Sequence, residues 1–146
     1  MSGPPISTMS QSILVVEDSL AQCELLSQAL AQHGCEEVLH IEHGIAPALT
    51  YLNHQLEGHA ALPRLILVDL KLMSGSGLDI VRYIRTHERL QRVPVLVLTT
   101  SDAQHDIEAA YAAGANAYVV KPGAYADFIK VMGDLCRFWL GWNRTA

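Results

Sequence analysis

Apolar residues fall into five short runs along this chain, at residues 13–16 (ILVV), 38–41 (VLHI), 65–68 (LILV), 95–98 (VLVL) and 117–120 (AYVV). Four of them are nearly unbroken in apolar residues and rich in Val, Ile and Leu, as strands covered on both faces should be. Between the runs the spacing becomes helical. Residues 19–33 place Leu20, Cys23, Leu26 and Leu30 on one helical face, and Gly34 follows as a C-terminal stop. Residues 45–57, with Pro47 in the first turn, 78–86, 102–113 and 124–140 are the other predicted helices. Strand and helix therefore alternate along the whole chain. With right-handed crossovers this order gives an α/β fold, a parallel sheet between two helical layers, and puts any site at the C-terminal ends of the strands.

Polar residues gather at those ends. The first run finishes in Glu17 and Asp18, the third in Asp69, the fourth in Thr99 and Thr100, and the fifth in Lys121 and Pro122. Carboxylates brought to one sheet edge repel one another unless a cation joins them, and a hard, oxygen-rich set suits Mg²⁺. Asp69 is then a candidate nucleophile toward a phosphoryl group whose charge is met by the metal on one side and the Lys121 ammonium on the other. The Thr99 hydroxyl would reach an equatorial phosphate oxygen. An Asp at a strand end is, by itself, more often a turn former or helix cap. The set of four in this order makes the reading specific.

Composition narrows the class. The chain has 146 residues, half of them hydrophobic, enough for one compact domain with a substantial core. A net charge of −5 offers no general attraction to nucleic acid or anionic membrane. The charge is uneven, because residues 1–63 hold seven acidic residues and no Lys or Arg, while residues 64–146 hold eight acidic and ten basic. Cys23, Cys35 and Cys136 are odd in number and lack metal-type spacing, so they read as reduced thiols of a cytoplasmic protein. His33, His40, His43, His54 and His59 share no ligand spacing and read as surface residues. Nothing in the sequence resembles a secretory signal or a membrane span. Residues 1–11 are expected to be a tail, 12–142 one domain and 143–146 a second short tail.

The segments VVEDS (15–19), LVDLKLMSGSGLD (67–79), VPVLVLTTS (93–101) and AYVVKP (117–122) resemble the response-regulator receiver domains of two-component signalling, over nearly the whole chain. The resemblance implies a flavodoxin-like, doubly wound, five-stranded parallel sheet with five helices and strand order 2-1-3-4-5. It makes Glu17 and Asp18 the acidic metal pair, with Asp18 the direct ligand, Asp69 the phosphoacceptor and a metal ligand, and the Lys71 backbone carbonyl the completion of an Mg²⁺ site. Thr99 and Tyr118 become the switch pair, Lys121 the phosphate-binding lysine, and Pro122 the residue after a cis peptide bond. The implied partner is a sensor histidine kinase that donates from a phosphohistidine, and the chain is a phosphoacceptor rather than an enzyme.

Two features refine the resemblance. The segments LPRLILVDL and VLTTSD and the end RFWLGW are similar to stand-alone receivers that partner phytochrome-type histidine kinases, which implies a homodimer through the fourth helix, fifth strand and fifth helix. Fewer than about a dozen residues follow the last predicted helix, too few for an output module, so output is expected through protein contact. Phe138, Trp139 and Trp142 either cap the core or cover a dimer partner.

The loop after the acceptor departs from the family, reading Lys71-Leu72-Met73 and then Ser74-Gly75-Ser76-Gly77. In this family the positions of Lys71 and Ser101 influence phosphate loss. The Lys71 ammonium is expected either to lean toward the phosphate and slow attack by water or to point to solvent. A haloacid-dehalogenase-type phosphatase is the rival enzyme, but it needs a carboxylic acid where Lys71 stands. An unphosphorylated receiver-like module is the other rival.

Overall fold

The computed structural model describes residues 12–35, 39–58 and 60–143. The expected N-terminal tail, residues 144–146, position 38 and His59 lie outside the described residues. The elements run β1 (Ile13–Val16), α1 (Leu20–Gln32), β2 (Leu39–Glu42), α2 (Ile45–Glu57), β3 (Leu65–Val68), β4 (Lys71–Leu72), β5 (Gly75–Ser76), α3 (Leu78–Thr86), β6 (Val95–Thr99), α4 (Gln104–Ala113), β7 (Ala117–Val120) and α5 (Tyr125–Cys136), followed by a π-helical turn (Arg137–Trp142).

Five strands form one parallel sheet in the order β2-β1-β3-β6-β7, the expected 2-1-3-4-5 arrangement once the small hairpin is set aside. β1, β3 and β6 are buried at every position, whereas β2 and β7, at the edges, are only partly covered. Successive side chains on a strand point to opposite faces, so each apolar run supplies two cores at once. Leu14, Val16, Ile66, Val68, Val95 and Val97 pack with Ala48, Leu52, Ile80, Ile84 and Ala110 of α2, α3 and α4. Ile13, Val15, Leu65, Leu67, Leu96 and Leu98 pack with Leu26, Leu30, Phe128 and Met132 of α1 and α5.

Local signals fix several boundaries. Ser19 caps α1, its hydroxyl accepting from the Gln22 amide at 3.3 Å. Gly34 follows α1 at φ +74°, a left-handed conformation that glycine adopts without a steric cost. Within the described residues β2 covers 39–42, and its pairing with β1, which joins Val16 to Glu42, carries it one residue past the expected end at 41. The fourth helix starts at Gln104 rather than at residue 102, since Ser101 folds back to accept from the Ala103 amide.

Two elements lie outside the expected pattern. Lys71–Leu72 and Gly75–Ser76 pair as a short antiparallel hairpin in what reads as loop sequence. The last helix ends its α-helical course at Cys136 instead of residue 140, and the chain widens into a π turn in which the Asn143 amide donates to the Phe138 carbonyl. Trp139 and Leu140 pack on the α1–α5 core, but Phe138 and Trp142 are 50% and 80% exposed, so these two aromatics do not cap it. His33 and His40 are half-buried rather than surface residues, the first with Nε2 2.9 Å from the Ile129 carbonyl, the second stacked on Tyr51. Among the described residues no helix is long and apolar enough to cross a membrane.

Candidate phosphoacceptor site

Parallel pairing sets the ends of β1, β3, β6 and β7 level, and the residues that follow each strand meet there. Asp69 follows β3, its amide donating to the Val16 carbonyl at 3.0 Å, so the acceptor candidate is tied to the first strand next to Glu17. Lys121 follows β7, its amide donating to the Thr99 carbonyl at 2.6 Å. From there the Lys121 ammonium donates to Glu17 Oε1 at 2.6 Å and to Asp69 Oδ2 at 3.1 Å. The Lys121 side chain is 6% exposed, which makes this a buried ion cluster rather than a surface pair.

The two acidic neighbours at the end of β1 have separate roles. Glu17 is buried on the lysine side, with Oε2 accepting from the Ser19 amide at 3.3 Å. Burial raises its pKa, with the Lys121 ammonium pulling the other way and the Asp69 charge adding to the rise. Asp18 turns toward the acceptor loop, where Oδ2 accepts from the Met73 amide at 2.5 Å. The Lys71 amide donates to Asp69 Oδ1 at 3.2 Å, so both Asp carboxylates hold the loop that carries the Lys71 carbonyl.

Glu17 and Asp69 share the single ammonium of Lys121, and Asp18 follows Glu17 at the same edge of the sheet. When all three carboxylates are ionised, two negative charges remain, and the donor set of Asp18, Asp69 and a backbone carbonyl consists of hard oxygens. These residues fit a divalent cation of the Mg²⁺ kind. Among the described residues no three His, Cys, Asp or Glu side chains are grouped so as to hold a metal ion by themselves.

The switch candidates occupy the next strands. Thr99, 2% exposed, ends β6 beside Val120. Tyr118 is half-buried, its ring against the α2–α4 core and its hydroxyl donating to the Ser101 carbonyl at 2.9 Å. Burial raises the phenol pKa above its ordinary value. Among the described residues no peptide bond is cis, so the Lys121–Pro122 bond is trans, contrary to the expectation. Lys121 reaches both carboxylates from this trans backbone.

The Lys71 ammonium neither leans on Asp69 nor points simply to water. It lies 3.9 Å from Asp106 Oδ2. Sequence reasoning missed two participants. Asp106 accepts from the Ser101 hydroxyl at 2.5 Å, a contact across a loop with no motif to announce it. Gly77 passes so close to the acceptor that a Cβ there would sit 2.0 Å from the Asp69 carbonyl oxygen. Its place in the Gly-Ser-Gly loop was the available signal.

The family model described as the response regulator receiver domain matches residues 13–132. The probable methanogenesis regulatory protein FilR2 of Methanothrix harundinacea is 35% identical over 133 residues, 91% of this chain and 86% of that protein. The response regulator Rcp1 of Synechocystis is 35% identical over 130 residues, 88% of each protein. A crystal structure of Rcp1 in its Mn(2+)-bound form is similar at TM-score 0.79 and 30% identity, covering 93% of this chain and 99% of the other. The phosphorylated cyanobacterial phytochrome response regulator RcpA is similar at TM-score 0.83 and 29% identity, covering 93% of this chain and 98% of the other. The sheet order, the acidic and basic residues at its C-terminal edge and these matches lead to one conclusion: the chain belongs to the response regulator receiver domain family.

Proposed function

We propose that this chain accepts a phosphoryl group on Asp69 from a phosphohistidine of a sensor histidine kinase and passes the signal on by protein–protein contact. The observation that carries the reading is the buried Lys121 ammonium held between Glu17 and Asp69 at the end of the sheet. An Asp Oδ facing a fixed ammonium is arranged to attack phosphorus while the ammonium receives charge developing on the phosphoryl oxygens.

In the transfer, an Asp69 oxygen bonds to phosphorus as the nitrogen–phosphorus bond of the donor breaks, and neutral imidazole remains on the kinase. Asp18, Asp69 and the Lys71 carbonyl would hold Mg²⁺, with Glu17 adding charge beside them, and the bound cation supplies charge neutralisation for the phosphoryl oxygens. Lys121 holds one face of the site, and Glu17 fixes Lys121. The Thr99 hydroxyl, at the buried end of β6, is drawn toward the phosphoryl group. The space it leaves lets Tyr118 exchange its Ser101 contact for an inward position, changing the surface of α4, β7 and α5. The exposed Lys71 at the second position after Asp69 leaves no acid there to protonate a leaving group, which disfavours the phosphatase reading.

Residues 12–142 act as one receiver in the cytoplasm, and the similarity to Rcp1 and RcpA supports a kinase of the phytochrome type as the donor. A homodimer through α4, β7 and α5 is the form in which it would present that surface. Incubation with Mg²⁺ and acetyl phosphate, followed by intact-mass measurement, is expected to add one phosphoryl group to the parent and none to Asp69→Ala. No adduct on the parent, or an equal one on the variant, would refute the reading.

A further inference from the structure

Away from the acceptor cluster, one carboxylate gathers groups from separate segments. Asp106, in the first turn of α4, has a side chain only 16% exposed; its Oδ2 accepts from the Ser101 hydroxyl at 2.5 Å and lies 3.9 Å from Lys71 Nζ. Its Oδ1 is 3.3 Å from Nε2 of the exposed His105. Ser101 also carries the carbonyl that accepts from the Tyr118 hydroxyl. Asp106 thus connects the residue two beyond the acceptor with the loop that holds Tyr118.

The two main contacts are unequal. The Ser101 bond is short and partly buried, so it fixes Asp106. Lys71 is 74% exposed, and 3.9 Å is beyond hydrogen-bond reach, so this is a weakly held and exchangeable ion pair. Because the Lys71 amide already donates to Asp69 Oδ1, the lysine stem begins at the acceptor itself. Phosphorylation of Asp69 exchanges a carboxylate for an acyl phosphate carrying about two negative charges, a net gain of about one that reaches out from the acceptor and competes with Asp106 for the ammonium.

We propose that Asp106 is a positioning residue that shares the Lys71 ammonium in the resting protein and, by competing for it, shortens the lifetime of the acyl phosphate. The inference rests on phosphorylation of Asp69 as proposed above. In hydrolysis the oxygen of water bonds to phosphorus and the bond to the Asp69 oxygen breaks. Asp69 departs as a carboxylate, and the protons of water go to inorganic phosphate and solvent. An ammonium lying on the phosphoryl group obstructs the approach of water. Removing the charge of Asp106 therefore releases Lys71 to the phosphoryl group and slows its loss.

Two measurements test this. In metal-free, unphosphorylated protein, labelling of lysine amines with acetic anhydride, read by peptide mass, is expected to rise about twofold at Lys71 in Asp106→Asn relative to the exposed Lys130, the scale of a weak surface pair. Asp106→Glu should stay near the parent, and an unchanged Lys71 to Lys130 ratio in Asp106→Asn overturns the resting contact. In the second measurement, Asp106→Asn is expected to lengthen the acyl-phosphate lifetime severalfold, and to have no effect when combined with Lys71→Met. An equal change in both backgrounds, or none in either, overturns the lifetime role. No adduct on the parent would defeat the phosphorylation reading and the lifetime role together, while the labelling result would still decide whether Asp106 holds Lys71.

Discussion

Lys121 shows at the scale of a single residue how this site is stabilised. Its ammonium is removed from water and compensated by Glu17 and Asp69, so deleting one member strands the others in a poorly solvated setting. In metal-free protein, Lys121→Met is expected to cost about 3 kcal/mol in urea unfolding, the order expected for breaking a buried pair. Adding Glu17→Gln should recover a large part of that loss, because the neutral amide no longer needs a counter-charge. A double variant that loses the sum of the two single losses would show that the residues act independently. That Lys121 and Glu17 mattered was readable at strand ends. That they hold each other across a separation of 104 positions was not, because pairing depends on which strands lie side by side.

At the scale of an element, the acceptor loop is the informative case. The run from Lys71 to Ser76 closes as a hairpin, and Gly77 then brings the start of α3 against the backbone of Asp69. Gly77 sits at φ −60°, so its need for glycine is one of space and not of backbone conformation. A Cβ would lie 2.0 Å from the Asp69 carbonyl oxygen and 2.5 Å from Val68 Cγ1, so main chain and core must both move. Gly77→Ala is expected to destabilise by about 2 kcal/mol, as overpacking does, and to slow phosphorylation of Asp69 by acetyl phosphate. Gly123→Ala, where an added Cβ meets nothing within 4 Å, should leave stability unchanged within about 0.5 kcal/mol. Equal stability of the two variants would mean that the loop adapts without displacing the acceptor. The sequence showed a glycine-rich loop here but gave no alternation long enough to mark a strand, since a two-residue ladder has no period.

Across the whole molecule, the two helical layers leave apolar groups outside. Tyr111 on α4, Val120 at the end of β7, and Phe138 and Trp142 beyond α5 are all exposed, in a chain whose strand runs are otherwise spent on the two cores. Phe138 meets Trp139 edge to face, with ring centroids 5.1 Å apart, which gives the exposed ring a defined position. If these groups meet a second copy, Phe138→Ala with Trp142→Ala should sediment as a smaller species than the parent at the same concentration. Identical sedimentation would argue against an interface at this end.

The alternation of short apolar runs with helix-length segments determined the sheet, its two covered faces and the edge at which Asp18, Asp69, Thr99 and Lys121 meet. Those features are local or follow from chirality, because a buried parallel strand must be apolar on both faces and a crossover must be right-handed. Tertiary structure decided what depends on contact between distant segments. It gave Glu17 to Lys121, placed Lys71 beside Asp106, fitted Gly77 against Asp69 and left Phe138 and Trp142 outside the core. The physical reason is the same in each case: a side chain's partner is set by the register and spacing of packed elements, which no single stretch of sequence contains.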